Sequence, residues 1–110
     1  MPQFAYRIQP TRLAMLAEGP TEREARVVAR HFAYLSELAE RGQVLFAGRT
    51  LTADEQAFGI VVFDAASEDA ARRLMQGDPA VAEGVMQAAL WPFRVALWSA
   101  RGPQPGSGDD

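Results

Sequence analysis

The chain has 110 residues, a net charge of −3, no cysteine, and eleven basic residues that are all arginine. A chain this short supports one domain with a modest core; the missing cysteines exclude disulfides and thiolate or zinc–thiolate chemistry, and the missing lysines exclude Schiff bases. Acids and arginines are interspersed without a basic block, and no apolar run nears the ~18 residues of a membrane span, so neither nucleic acid nor membrane is an expected partner.

In chain order, Met1-Pro2-Gln3-Phe4 lacks the basic-then-apolar pattern of a signal peptide, and a cytoplasmic location is expected. Phe4, Tyr6 and Ile8 alternate with Ala5, Arg7 and Gln9, the period of a half-buried strand. Pro10-Thr11-Arg12 interrupts it, and Leu13 to Ala17 is expected to continue the strand beyond a bend. Thr21 and Glu24 have capping-box spacing, so a helix starts there; its apolar stripe is expected to be Val28, Phe32, Leu35 and Ala39, with Gly42 as a left-handed stop. Val44 to Leu51 and Phe58 to Asp64 read as the second and third strands. Ser67 can cap a second helix, with Glu68 and Asp69 at its positive end and Ala70, Ala71, Leu74 and Met75 as its stripe, ended by Gly77. A short helical turn over Pro79 to Gly84 and a fourth strand over Ala89 to Ser99 follow. Pro92 removes a ladder donor and so puts that strand at a sheet edge. Residues 1–101 read as one domain, and the Gly/Pro/Ser/Asp stretch 102–110 as a disordered tail.

The order β-α-β-β-α-β is the split βαβ pattern of ferredoxin-like α+β folds, a four-stranded antiparallel sheet with two helices on one face. Large apolar residues occur at both parities: Phe4, Tyr6 and Ile8 on one face of the first strand, Trp91 and Trp98 near Phe93 and Leu97 on the fourth. A sheet apolar on both faces, with helices for only one, needs a partner, and a homodimer packed sheet to sheet is expected.

His31 is the only histidine, and imidazole changes charge near neutral pH, which makes it the acid–base candidate. It shares a helix side with Val28 and Leu35 and should lie half sheltered at the edge of the buried stripe; the plainer reading is a boundary histidine bonded to backbone or water. Asp78 follows a helix stop and precedes Pro79, the pattern of an N-cap with proline at the first helical position. A carboxylate has two oxygens, so capping leaves room for a second contact. Arg12 and Arg49 could clamp a substrate anion, with surface ion pairing as the alternative for each. Tyr6 and Tyr34 could donate to a bound oxyanion, with core packing as the alternative. One histidine and no cysteine make a metal site unexpected, and no phosphate cradle or cofactor motif is present.

The runs His31-x-x-Tyr34-Leu35, Leu45-Phe46-Ala47-Gly48, Phe58-Gly59-Ile60-Val61-Val62, Asp78-Pro79-x-Val81-x-x-Gly84 and Trp91-Pro92-Phe93, in that order, resemble the YCII-related (YciI-like) family of the dimeric α+β barrel superfamily. The resemblance covers roughly residues 4 to 98, and Pro10-Thr11-Arg12 with its long first strand departs from the shortest members. It implies a ferredoxin-like protomer forming a dimeric α+β barrel, and it pairs His31 with Asp78 at the site. Some members of the family resemble enzymes that process hydroxylated or chlorinated aromatics. The function expected is a cofactor-independent lyase or isomerase acting on a small oxygenated, cyclic or aromatic molecule, with His31 moving a proton, Asp78 orienting the ring and an arginine holding the substrate anion. The alternatives are a module that binds a small ligand without reaction and a purely structural dimerisation domain.

Overall fold

A computed structural model describes residues 1–106. Its elements are β1 (Gln3–Pro10), α1 (Ala14–Glu18), α2 (Glu22–Glu40), β2 (Val44–Arg49), β3 (Gly59–Asp64), α3 (Glu68–Gly77), α4 (Pro79–Ala82) and β4 (Met86–Phe93). The four strands form one antiparallel sheet in the order β2-β3-β1-β4, which is the ferredoxin-like arrangement of an α+β protomer. Each crossover skips a strand, and Pro92 lies on the edge strand β4 as its missing donor requires.

The alternation of β1 sends Phe4, Tyr6 and Ile8 to the helix side, where they meet Val61 and Phe63 of β3, Leu35 and Leu38 of α2, and Leu74 and Met75 of α3. Each such side chain, fully buried, contributes about 1.5–3 kcal/mol, so this layer dominates the stability. Two local signals set the long helices. Thr21 accepts from the backbone N–H of Glu24 while the Glu24 carboxylate accepts from that of Thr21; Ser67 accepts from Ala70 N–H. Gly42, at φ +77°, turns the chain out of α2 towards β2.

Several expectations are corrected. Leu13 to Ala17 does not prolong β1 but forms the helix α1, because Met15 N–H and Leu16 N–H bond back to Arg12 and Leu13 carbonyls and Met15 buries beside Val27, Ala80 and Val85. The buried face of α2 is Glu24, Val27, Leu35 and Leu38, rotated from the expected stripe, so Phe32 is 72% exposed. Strand β2 ends at Arg49. Strand β4 runs earlier than expected because its pairing with β1 joins Met86 to Pro10 and Phe93 to Gln3, which leaves Leu97 and Trp98 outside the sheet.

The far face of the sheet carries Ala5, Val62, Phe46 and Trp91. The chain itself covers part of it: Val95 N–H donates to the Gln3 side chain at 2.7 Å, and the Trp98 ring packs 6.0 Å from that of Phe46. Ala5 and Val62 are buried there, whereas Trp91, Phe93, Leu97 and Trp98 remain exposed. Of the expected tail, residues 102–106 form neither helix nor strand, and 107–110 lie outside the described residues. Among the described residues no helix is long and apolar enough to cross a membrane.

Candidate functional site

The site begins with a helix cap. Asp78 has an extended backbone between α3 and α4, Pro79 opens α4, and Asp78 Oδ1 accepts from Ala80 N–H at 2.9 Å. The same carboxylate is fully buried and takes two further donors. The Tyr6 hydroxyl, from β1, donates to Oδ2 at 2.7 Å. His31, from α2, places Nδ1 at 2.7 Å from Oδ1 and 2.8 Å from Oδ2. A buried carboxylate stripped of such partners costs several kcal/mol; three donors from three elements offset that cost and lock its orientation.

Because Nδ1 faces two carboxylate oxygens, it is the ring nitrogen that carries the proton and donates. The other nitrogen, Nε2, meets no protein group, and no buried side-chain nitrogen or oxygen among the described residues is left without a partner, so Nε2 reaches open space. That space is a cavity of about 320 Å³ between α2 and the sheet, which His31 lines with its side chain 14% exposed. The walls are mostly apolar, among them Ile8, Leu16, Val28 and Met86, with Phe32 and Phe58 exposed at the surface. His31, Arg49, Thr50 and Thr52 are the side chains that bring polar atoms to this lining. Gly59 keeps room on the sheet side, since a Cβ there would come within 3.0 Å of Ile8 Cγ1.

The six candidate residues separate. His31, Asp78 and Tyr6 come together. Tyr6 stands behind Asp78, fully buried and absent from the cavity lining, so its hydroxyl is spent on the carboxylate rather than offered to a ligand. Burial first, then the Asp78 charge and hydrogen bond, raise its pKa well above the ordinary phenol value, and it stays a donor. Tyr34 points elsewhere: its hydroxyl donates to Leu74 O at 2.7 Å and ties α2 to α3. Gly77 permits that contact, because a Cβ there would sit 3.1 Å from the Tyr34 oxygen. Burial, then the nearby Asp78 charge, raise the Tyr34 pKa also. Arg49 lines the cavity and has no carboxylate partner among the described residues.

Arg12 is outside the cavity lining. It forks onto Glu24, Nε to Oε2 at 2.9 Å and Nη2 to Oε1 at 2.6 Å, so its charge fastens the chain ahead of α2. The hydrogen bond from Arg12, followed by that from the Thr21 backbone, lowers the Glu24 carboxyl from 4.5 to about 2. A carboxyl depressed by folding stabilises the protein above its unfolded value and loses that contribution as pH falls to the folded one. The Glu24→Gln variant should therefore unfold at lower urea than the parent at pH 7, with the two midpoints converging between pH 4.5 and about 2. Parallel denaturation curves across that range check it; a gap independent of pH would contradict it.

Local sequence held no sign of Thr50, Thr52, Phe58 or Met86 as cavity residues, since the β2–β3 connection brings the first three there and the register of β4 the last. Phe32 is an apolar residue one step off the buried face of its helix, which places it at the cavity instead of in the core.

The family model of the YCII-related domain matches residues 5–94. Among solved structures, the chain is similar to the 5-chloro-2-hydroxyhydroquinone dehydrochlorinase TftG from Burkholderia phenoliruptrix AC1100, in its complex with 2,5-dihydroxybenzoquinone. The identity is 18%, the TM-score 0.60, and the match covers 91% of this chain and 99% of that one. No curated protein matches the chain.

Proposed function

Because the chain belongs to the YCII-related domain family, we propose that it is a cofactor-independent enzyme performing acid–base chemistry on a small hydroxylated ring. The observation that carries this reading is His31, whose Nδ1 is held by a buried carboxylate while Nε2 opens on an apolar cavity. Nε2 takes the proton of a ring hydroxyl and returns it to a ring carbon, a keto–enol shift. From that tautomer, a leaving group on the same carbon departs as an anion with its bonding electrons as Nε2 takes a second hydroxyl proton. The imidazolium formed at each step faces Asp78, whose charge offsets it. Arg49 pairs with the anionic oxygen of the ring. A cavity of about 320 Å³ is at the small end for ligand sites and suits one ring. The similar dehydrochlorinase, crystallised with a dihydroxybenzoquinone, acts on a ring of that kind.

The test is a panel of hydroxylated benzenes and their chlorinated counterparts, followed by deuterium uptake at ring carbon and by chloride release. Uptake or release by the parent protein is expected. Binding of panel members that survives His31→Gln, with neither uptake nor release, would move the assignment to a ligand-binding module.

The assembly we propose is a cytoplasmic homodimer joined through the far face of the sheet. Trp91, Phe93 and Trp98 stay exposed beside that face, and Leu97 is 92% exposed, an apolar cluster a monomer seldom carries. Light scattering should give twice the mass of one chain, and Trp91→Glu with Phe93→Glu should halve it. A parent protein at single-chain mass would contradict the dimer.

A further inference from the structure

We infer that Tyr6 is a positioning residue for His31, acting through Asp78: its hydroxyl holds Oδ2 so that the carboxylate meets Nδ1 in one fixed plane. Tyr6 belongs to the core layer of β1. Its side chain is fully buried and does not line the cavity, so it touches no ligand there. Core packing alone would be met by phenylalanine, which already serves at Phe4 and Phe63 in the same layer. The hydroxyl is therefore present for its single bond, 2.7 Å to Asp78 Oδ2, across 72 residues of chain.

That bond complements the other two. Ala80 N–H restrains Oδ1 from the α4 side, and Tyr6 restrains Oδ2 from the sheet side. With both oxygens anchored by groups that do not titrate in the working range, the carboxylate cannot turn about its own axis. Nδ1 then lies almost equidistant from Oδ1 and Oδ2, and the imidazole plane follows from the plane of the carboxylate. The hydroxyl also draws charge from Oδ2, so Asp78 accepts less strongly from Nδ1–H than it would with that oxygen bare. Neighbouring Tyr34 cannot substitute, because its hydroxyl is committed to Leu74 O.

The kinetic part of this inference rests on the proposed acid–base role of His31; the spectroscopic part does not. His31 is the only histidine, so its ring N–H proton resonance needs no assignment. In Tyr6→Phe the resonance should move downfield, because Asp78 loses a competing donor. Incorporation of 3-fluorotyrosine, a stronger donor, into a Tyr34→Phe background should move it upfield relative to that background, which covers the case in which Tyr6→Phe does not fold. With a substrate in hand, kcat of Tyr6→Phe should fall about tenfold at unchanged KM, the usual scale for a group that orients a reacting ligand. Opposite displacements under the two substitutions establish the role. A resonance unmoved by both overturns it, and leaves Tyr6 as packing alone whether or not the protein turns a substrate over.

Discussion

His31→Asn is expected to lower kcat by about 10²–10⁴-fold, the usual contribution of a positioned acid–base group, while the protein stays folded. The choice of asparagine follows from the geometry. Its amide nitrogen is two bonds from Cβ, as Nδ1 is, so it can still donate to the Asp78 carboxylate. Nothing in it reaches the position of Nε2. The substitution therefore deletes the nitrogen facing the cavity and retains the one facing Asp78. Its stability cost should be confined to helix propensity within α2, below about 1 kcal/mol. His31→Gln is the converse, with an amide nitrogen near Nε2 and none near Nδ1, and should lose activity and stability together. Steady-state kinetics with urea denaturation of both variants separate the two roles. Full activity in His31→Asn would remove His31 from the chemistry.

The second large effect is on stability. Asp78→Ala should cost about 3–5 kcal/mol, the range for breaking a buried charged contact by deleting one partner. Three separate losses add up at this residue. The cap of α4 goes, at about 1 kcal/mol, since Ala80 N–H loses its acceptor. The Tyr6 hydroxyl is left buried without a partner, at about 1–3 kcal/mol. His31 loses the acceptor that holds its ring. Asp78→Asn should fall between, because the amide oxygen keeps the cap while its NH2 opposes either Tyr6 or His31, both of which are donors. Against the 5–15 kcal/mol of a typical domain, the alanine variant should sit close to unfolding at room temperature. Urea midpoints of the three proteins give the order; an alanine variant within about 1 kcal/mol of the parent would mean that the carboxylate is not the anchor its contacts describe.

The residue that organises the site is thus also a helix cap, and this bears on how such a site is read from sequence. Capping consumes only part of one oxygen of Asp78. The remaining acceptor capacity is what β1 and α2 bring Tyr6 and His31 to meet. A substitution scan scored on stability alone would register the cap and the buried contacts of Asp78 and be blind to the role proposed for it beside His31. Steady-state kinetics on the same Asp78 variants, beside their urea midpoints, separate the two.

What could be read directly from the residues is what depends on neighbours within three or four positions. The Thr21–Glu24 box, the Ser67 cap, the Gly42 stop, the cap at Asp78 and the alternation of β1 are all of this kind, and all lie where local chemistry places them. The order of strands and helices then admits few topologies, and the ferredoxin-like sheet follows. The phase of each element about its own axis does not follow. A helix with apolar residues at Val27, Val28, Phe32, Leu35 and Leu38 can bury more than one stripe; the sheet-side core took Leu35 and Leu38, the cluster with Met15, Ala80 and Val85 took Val27, and Phe32 stayed in solvent. Register does not follow either: pairing with β1 moved β4 to Met86–Phe93 and released Leu97 and Trp98. By itself, then, the sequence determined the caps, the alternation of β1, the fold class and the single imidazole of the chain; family likeness paired that imidazole with Asp78. Tertiary structure alone decided that Tyr6 stands behind the carboxylate, that Arg12 serves Glu24 while Arg49 faces the cavity, and that Nε2 opens into it. The physical reason is one of range: caps and periodicity act over a few residues, whereas these contacts join groups 72, 47 and 12 residues apart and exist only once the layers have packed.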